Sequence, residues 1–218
     1  MIELVALDMA GTTVDEGGAV YRALSAAVSA ALGAPVDPAL LRRWMGAGKR
    51  EAVAGLLAGS SVDPDPVFAD FGARLAAAYA ASPPTALPGV SEAIAALRSS
   101  GVRVALTTGF SREVAEDILT RLEWTVGGTV DALVTVDDVA AGRPAPYMVF
   151  RAMEATGVHS VSAVATAGDT VLDLRAGRNA GAAVVAGVLT GAQDVVALGR
   201  EFHTHLLPSV AALPEIVG

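Results

Sequence analysis

Apolar residues run unbroken from Leu4 to Leu7 and stop on Asp8, after which the chain turns small and polar in "AGTT". A run of that length ending in charge predicts a buried strand at 2–7. Between residues 19 and 81 the period changes. "AVYRALSAAVSAALG", "PALLRRWMG", "KREAVAGLLAG" and "PVFADFGARLAAAYAAS" repeat apolar positions every three or four residues, which predicts four helices. Glycine and proline punctuate them at Gly33-Ala-Pro35, Gly46 to Gly48 and Gly59 to Pro66. The proline-rich "SPPTALPG", 82–89, reads as a linker back to the first unit.

From there strands and helices alternate. Helices are expected at 90–99, 111–122, 145–156 and 171–180, with a short one near 194–200. Strands are expected at 102–107, 132–136, 163–167, 182–187 and 205–207. The alternation predicts an α/β fold, a doubly wound parallel sheet with helices on both faces. Because the helical block follows the first strand directly, the expected division is a core of residues 1–14 and 86–218 with an inserted α-helical cap of residues 15–85.

Composition narrows the classes. A chain of 218 residues can bury one sizeable core with a smaller appendage. The absence of cysteine excludes disulfides and thiolate metal sites and fits a reducing compartment. Glu3 inside the first strand is unlike the apolar centre of a signal peptide, so the expected location is the cytoplasm. Alanine inflates the hydropathy, but no apolar run approaches the ~18 residues of a spanning helix, and no membrane partner is expected. A net charge of −8 with scattered basic residues argues against nucleic acid. Among the 15 basic residues Lys49 is the single lysine. An amine can be a nucleophile when neutral, whereas a guanidinium effectively cannot.

In an open parallel sheet, ligands gather at the carboxyl ends of the strands. The first expected strand delivers Asp8 there, the second Thr107-Thr108-Gly109, and the fourth "GDTVLD" with Asp169 and Asp173. "GRPAP" places Arg143 at a helix entry. Singly, each has a plain structural use: Asp8 and Asp169 as caps, Thr108 as turn chemistry, Arg143 as an exposed helix start. Jointly, three carboxylates at one edge repel unless a divalent cation neutralises them. Oxygen ligands completed by phosphate suit magnesium. Thr108, the N–H groups near Gly109 and Arg143 offer what a phosphoryl oxygen needs, and the implied chemistry is phosphoryl transfer to Asp8.

The set "DMAGTTVD", "LTTGF", "GRPAP" and "GDTVLD", in this order and with a helical insertion after the first motif, resembles the haloacid dehalogenase superfamily of aspartyl-nucleophile hydrolases. The resemblance covers nearly the whole chain and implies a Rossmann-like core. It implies Asp8 as nucleophile and Mg2+ held by Asp8, the Ala10 carbonyl and Asp169, with Asp173 a direct or water-mediated ligand. Thr108, with Thr107 as its alternative, would bind the phosphoryl group with Arg143, Gly11, Thr12 and Gly109 around it.

Most phosphatases of that superfamily carry a general-acid Asp where this chain has Ala10. "DMAGTTVD" and the cap run Met45-Gly46-Ala47-Gly48-Lys49 resemble more specifically the phosphonoacetaldehyde hydrolases, or phosphonatases. In those enzymes the lysine forms a Schiff base with the substrate aldehyde, so that carbon leaves phosphorus as an enamine and no acid is required. Lys49 is then the Schiff-base candidate, supported by Met45. The pattern departs at Ala52, where phosphonatases usually have histidine, and at Phe110, where they commonly have tyrosine. The resemblance implies a small phosphonate or phosphate substrate and association of two copies through the cap. The rival readings are a phosphate-monoester phosphatase and a catalytically silent protein that binds a phosphorylated ligand.

Three other features are weighed against plain structural roles. His203 and His205 share one face of an expected strand but lack a third ligand nearby, and His159 precedes a strand, so all three read as turn or surface residues. Trp44 and Trp124 read as core or interface aromatics. Arg112 could reach the phosphate or sit exposed in a first helical turn.

Overall fold

The first apolar run forms strand β1, Leu4–Asp8, with all five residues buried. Asp8 is thus the last residue of the strand itself. The computed structural model describes residues 1–217. After β1 come a two-residue strand β2 (Val14–Asp15), helices α1 (Ala19–Leu32), α2 (Pro38–Arg43), α3 (Lys49–Leu56) and α4 (Pro64–Ala81), and a second short strand β3 (Thr85–Ala86). The remainder alternates α5 (Val90–Ser99), β4 (Arg103–Thr108), α6 (Arg112–Arg121), β5 (Ala132–Thr135), α7 (Tyr147–Thr156) and β6 (Val164–Gly168). It closes with α8 (Val171–Ala180), β7 (Val184–Val188), α9 (Val195–Leu198), β8 (His205–Leu207) and α10 (Pro214–Val217).

The six long strands form one parallel sheet in the order β5-β4-β1-β6-β7-β8. The chain leaves central β1 first toward β4 and β5, then returns to its other side for β6 to β8. That reversal makes β1 the switch point, where a doubly wound sheet opens a crevice at its carboxyl edge. In register, Asp8 lies opposite Thr107 and Leu7 opposite Ala167. The ends of β1, β4 and β6 therefore converge.

The helical block packs largely on itself. α1 buries Val20, Ala23, Leu24, Ala27 and Val28, and α4 buries Val67, Phe71, Leu75 and Tyr79 at four-residue spacing. Each valine, leucine or phenylalanine among them contributes ~1.5–3 kcal/mol relative to exposure. β2 and β3 pair antiparallel, so the chain leaves for the helices and returns from them at one place. No helix among the described residues is long and apolar enough to cross a membrane.

Boundaries differ from expectation where side chains cap or turn the backbone. α4 starts at Pro64, two residues before the expected start, because the Asp63 carboxylate accepts the Asp65 N–H at 3.0 Å and proline suits the first helical turn. α7 begins at Tyr147, so Arg143 lies in the preceding loop instead of at a helix entry. β2, β3 and α10 were not anticipated, being too short to show a period.

Candidate active site

The turn after β1 is a tight one. The Met9 carbonyl accepts N–H groups from Thr12, Thr13 and Val14 at 3.2, 2.9 and 2.8 Å. The Thr13 hydroxyl adds a bond to the Asp8 carbonyl at 2.9 Å. Gly11 takes φ +82°, and a Cβ there would lie 2.7 Å from Asp169 Oδ2. Glycine is needed both for the left-handed backbone and for the close approach of the carboxylate.

Asp8, Asp169 and Asp173 each offer an oxygen within 4.8 Å of the others, and all three are buried. Asp8 Oδ1 accepts from Arg143 Nη1 at 2.6 Å, and its second oxygen has no hydrogen-bond partner among the described residues. Asp169 accepts the Ala192 N–H at 2.6 Å and the Thr12 hydroxyl at 3.2 Å. Asp173 sits in the first turn of α8, where one oxygen accepts the Thr170 N–H at 3.0 Å and the other meets Arg143 Nε at 2.9 Å. Burial, only partly offset by Arg143, pushes the Asp8 carboxyl up to about 6. Burial followed by repulsion from Asp8 and Asp173 pushes Asp169 up to about 8. When all three are ionised, three carboxylates against one guanidinium leave two negative charges, the complement of a divalent cation. The donor set is all oxygen, which suits a hard ion, and the three carboxylates can hold one.

Arg143 is 5 % exposed and fully engaged. Besides the two carboxylates it donates to Thr107 Oγ1 at 2.7 Å and to the Thr107 carbonyl at 3.1 Å. Its guanidinium ties the ends of β1, β4 and α8 together. Thr108 is buried and its hydroxyl accepts the Phe110 N–H at 3.2 Å. Arg112 lies apart, bonded to Asp138 at 2.5 Å and Glu116 at 3.3 Å. His203 and His205 bond locally to the Glu201 carbonyl and the Thr204 hydroxyl and join no metal-ligating cluster among the described residues. Met45 is half-buried, while Trp124 is buried in the core.

Lys49 opens α3 and is 9 % exposed. Its amine donates to the Ala47 carbonyl at 3.0 Å and pairs with no carboxylate among the described residues. The Phe110 and Tyr21 rings flank it at 5.5 and 5.7 Å from their centroids. Burial lowers its pKa, with Asp8 partly opposing. A neutral amine is therefore more accessible than on a surface lysine.

The helical block lies closely on the sheet edge at two glycines. A Cβ on Gly109 would stand 2.7 Å from the Ala47 carbonyl oxygen, and one on Gly46 would collide with the Thr170 hydroxyl. These contacts bring the 46–49 turn to the ends of β4 and β6.

Two parts of the site escaped the sequence reading. The segment after β7 closes over Asp169, with the Thr190 hydroxyl donating to the Gly11 carbonyl at 2.7 Å and Gln193 accepting the Val171 N–H at 2.7 Å. "LTGAQ" carried a visible signal, a threonine and glycine following a fifth parallel strand. Tyr21 is the other. Its hydroxyl accepts the Gly46 N–H at 3.2 Å, and its phenol is held protonated by burial and then by the charge of Asp169.

Comparison with known proteins agrees with this geometry. A model of the haloacid dehalogenase-like hydrolase family matches residues 2–181. A phosphonoacetaldehyde hydrolase of Bacillus cytotoxicus is 32 % identical over 99 % of this chain and 86 % of its own length. One from Bacillus cereus is 32 % identical over 89 % and 78 % of the two chains. A phosphonoacetaldehyde hydrolase like protein from Oleispira antarctica shares the fold, with a TM-score of 0.86 at 22 % identity over 99 % of this chain and 91 % of that one. The chain is a hydrolase and belongs to the haloacid dehalogenase-like family.

Proposed function

We propose that the protein is a magnesium-dependent hydrolase that cleaves the C–P bond of a small phosphonate such as phosphonoacetaldehyde, with residues 15–85 acting as a cap over the remaining core. The observation that carries this reading is a buried lysine without a carboxylate partner among the described residues, beside a carboxylate site whose general-acid position is Ala10.

The neutral Lys49 amine attacks the aldehyde carbon, and loss of water leaves a protonated imine. Asp8 attacks phosphorus with its unbonded oxygen while Arg143 holds the other. The C–P electron pair moves onto carbon and is taken up by the iminium as an enamine, so no oxygen needs protonating. Water hydrolyses the aspartyl-phosphate, returning Asp8 and releasing phosphate. Protonation and hydrolysis of the enamine free the aldehyde and Lys49. Mg2+ held by Asp8, the Ala10 carbonyl, Asp169 and Asp173, the last directly or through water, would supply the positive charge that lets carboxylate and phosphonate approach. Thr108 or Thr107, with Gly11, Thr12 and Gly109, lines the phosphoryl position, and Met45 supports the lysine turn.

Phosphate release from phosphonoacetaldehyde with magnesium tests the reading, comparing wild type with Lys49→Arg. Release that disappears in the variant supports imine chemistry at Lys49. No release from either protein rejects the phosphonate substrate, and release that survives points to a phosphatase-like route.

A further inference from the structure

A groove of about 620 Å³ runs between α4 and the start of α6 and reaches Lys49. Phe68, Phe71 and Leu75 form its α4 wall, and Phe110 and Val114 face them from the core. Phe110 belongs to both sites, since its ring borders the groove and lies 5.5 Å from Lys49 Nζ. A carbonyl carbon bonded to that amine would have its phosphorus-bearing neighbour carbon toward Asp8, and in a ketone its remaining substituent would be free to enter the groove.

Resting on the proposed C–P cleavage through Lys49, we infer that this groove is the subsite for the substituent on the substrate's carbonyl carbon, and that the substituent is an uncharged hydrocarbon group, which makes the substrate a ketone homologue of phosphonoacetaldehyde. Three observations support the choice. Pockets of about 300–1,000 Å³ hold molecules of many heavy atoms, so 620 Å³ greatly exceeds the need of a two-carbon aldehyde. The walls are aromatic and aliphatic, which favours apolar contact. The exposed Glu113 and Asp117 also line the groove. Asp117 is bonded to Arg121 at 2.8 Å, whereas Glu113 has no ion pair among the described residues. Their charge disfavours a carboxylate or second phosphate at that end.

Gly72 lies on α4 within the groove, and a Cβ there meets nothing within 4 Å. Leucine at this position would project into the groove and narrow it, and suits a helix better than glycine.

Calorimetric binding of methyl-, butyl- and hexylphosphonate in the presence of magnesium tests the inference, because these ligands lack a carbonyl and bind without imine chemistry. Affinity is expected to rise about two- to fourfold per added methylene in wild type and to level off in Gly72→Leu. Equal affinities across the wild-type series would overturn the subsite while leaving the phosphonate reading intact. A rise that persists in Gly72→Leu would overturn it too, by locating the apolar gain elsewhere. Failure of even methylphosphonate to bind would remove the phosphonate reading and the subsite together.

Discussion

Replacing Asp169 by asparagine separates the electrostatics of the carboxylate cluster from its packing. Asparagine keeps the shape and an oxygen to accept the Ala192 N–H, now 2.6 Å from the carboxylate, but removes one of three like charges. Burial and the neighbouring carboxylates raise Asp169 from an ordinary 3.8 to about 8, so without metal the folded protein binds a proton there that the unfolded chain has released at neutral pH. The sign follows directly. The penalty is absent below the unfolded value, grows as pH rises, and is complete above about 8. At pH 7 it is on the order of 4 kcal/mol, which Asp169→Asn relieves. For a chain of this length that corresponds to a rise in Tm of roughly 10 °C.

The assay is urea unfolding followed by the fluorescence of Trp44 and Trp124, in EDTA, at pH 5 and pH 8. The variant should be the more stable protein, by a wider margin at pH 8. Added magnesium should narrow the gap, since a ligand at 100 times its Kd stabilises the wild type by about 2.7 kcal/mol and the variant has lost a charged ligand. Equal stabilities in EDTA at pH 8, or a difference that does not grow with pH, would refute the reasoning.

Lys49→Met removes a buried ammonium, and because the folded state depresses its pKa the native chain binds fewer protons than the unfolded one. Thermal melts should show the variant gaining stability over wild type more at pH 6 than at pH 9, while borohydride trapping of an aldehyde adduct disappears. Gly109→Ala places a methyl group 2.7 Å from the Ala47 oxygen and so lifts the lysine turn off the sheet edge. A displacement near 1 Å should lower kcat/KM for phosphate release about 100-fold, with a change in Tm of a few degrees at most. The Tyr79 hydroxyl is buried and has no hydrogen-bond partner among the described residues. Tyr79→Phe should keep or raise the unfolding free energy by about 1 kcal/mol in urea titration.

What the sequence by itself determined is the part that repeats locally. The switch from helical period to short apolar runs is enough to specify a parallel sheet with a helical insertion, because burial of one face is recorded every two or every three to four residues. It also delivered Asp8, Thr107-Thr108 and Asp169 to one edge, since strands in a parallel sheet all end on the same side. Tertiary structure decided how those residues are used. Arg143, a helix-entry residue by its motif, lies in a loop and clasps Asp173 and, from 135 residues away in the chain, Asp8. Burial of Lys49 between Tyr21 and Phe110 depends on the helical block meeting the sheet at Gly46 and Gly109, a match of two surfaces that no local period encodes. The same holds for the 189–193 segment over Asp169. Periodicity reports which face of an element is covered, but the identity of the covering group depends on distant contacts that form only when the layers pack.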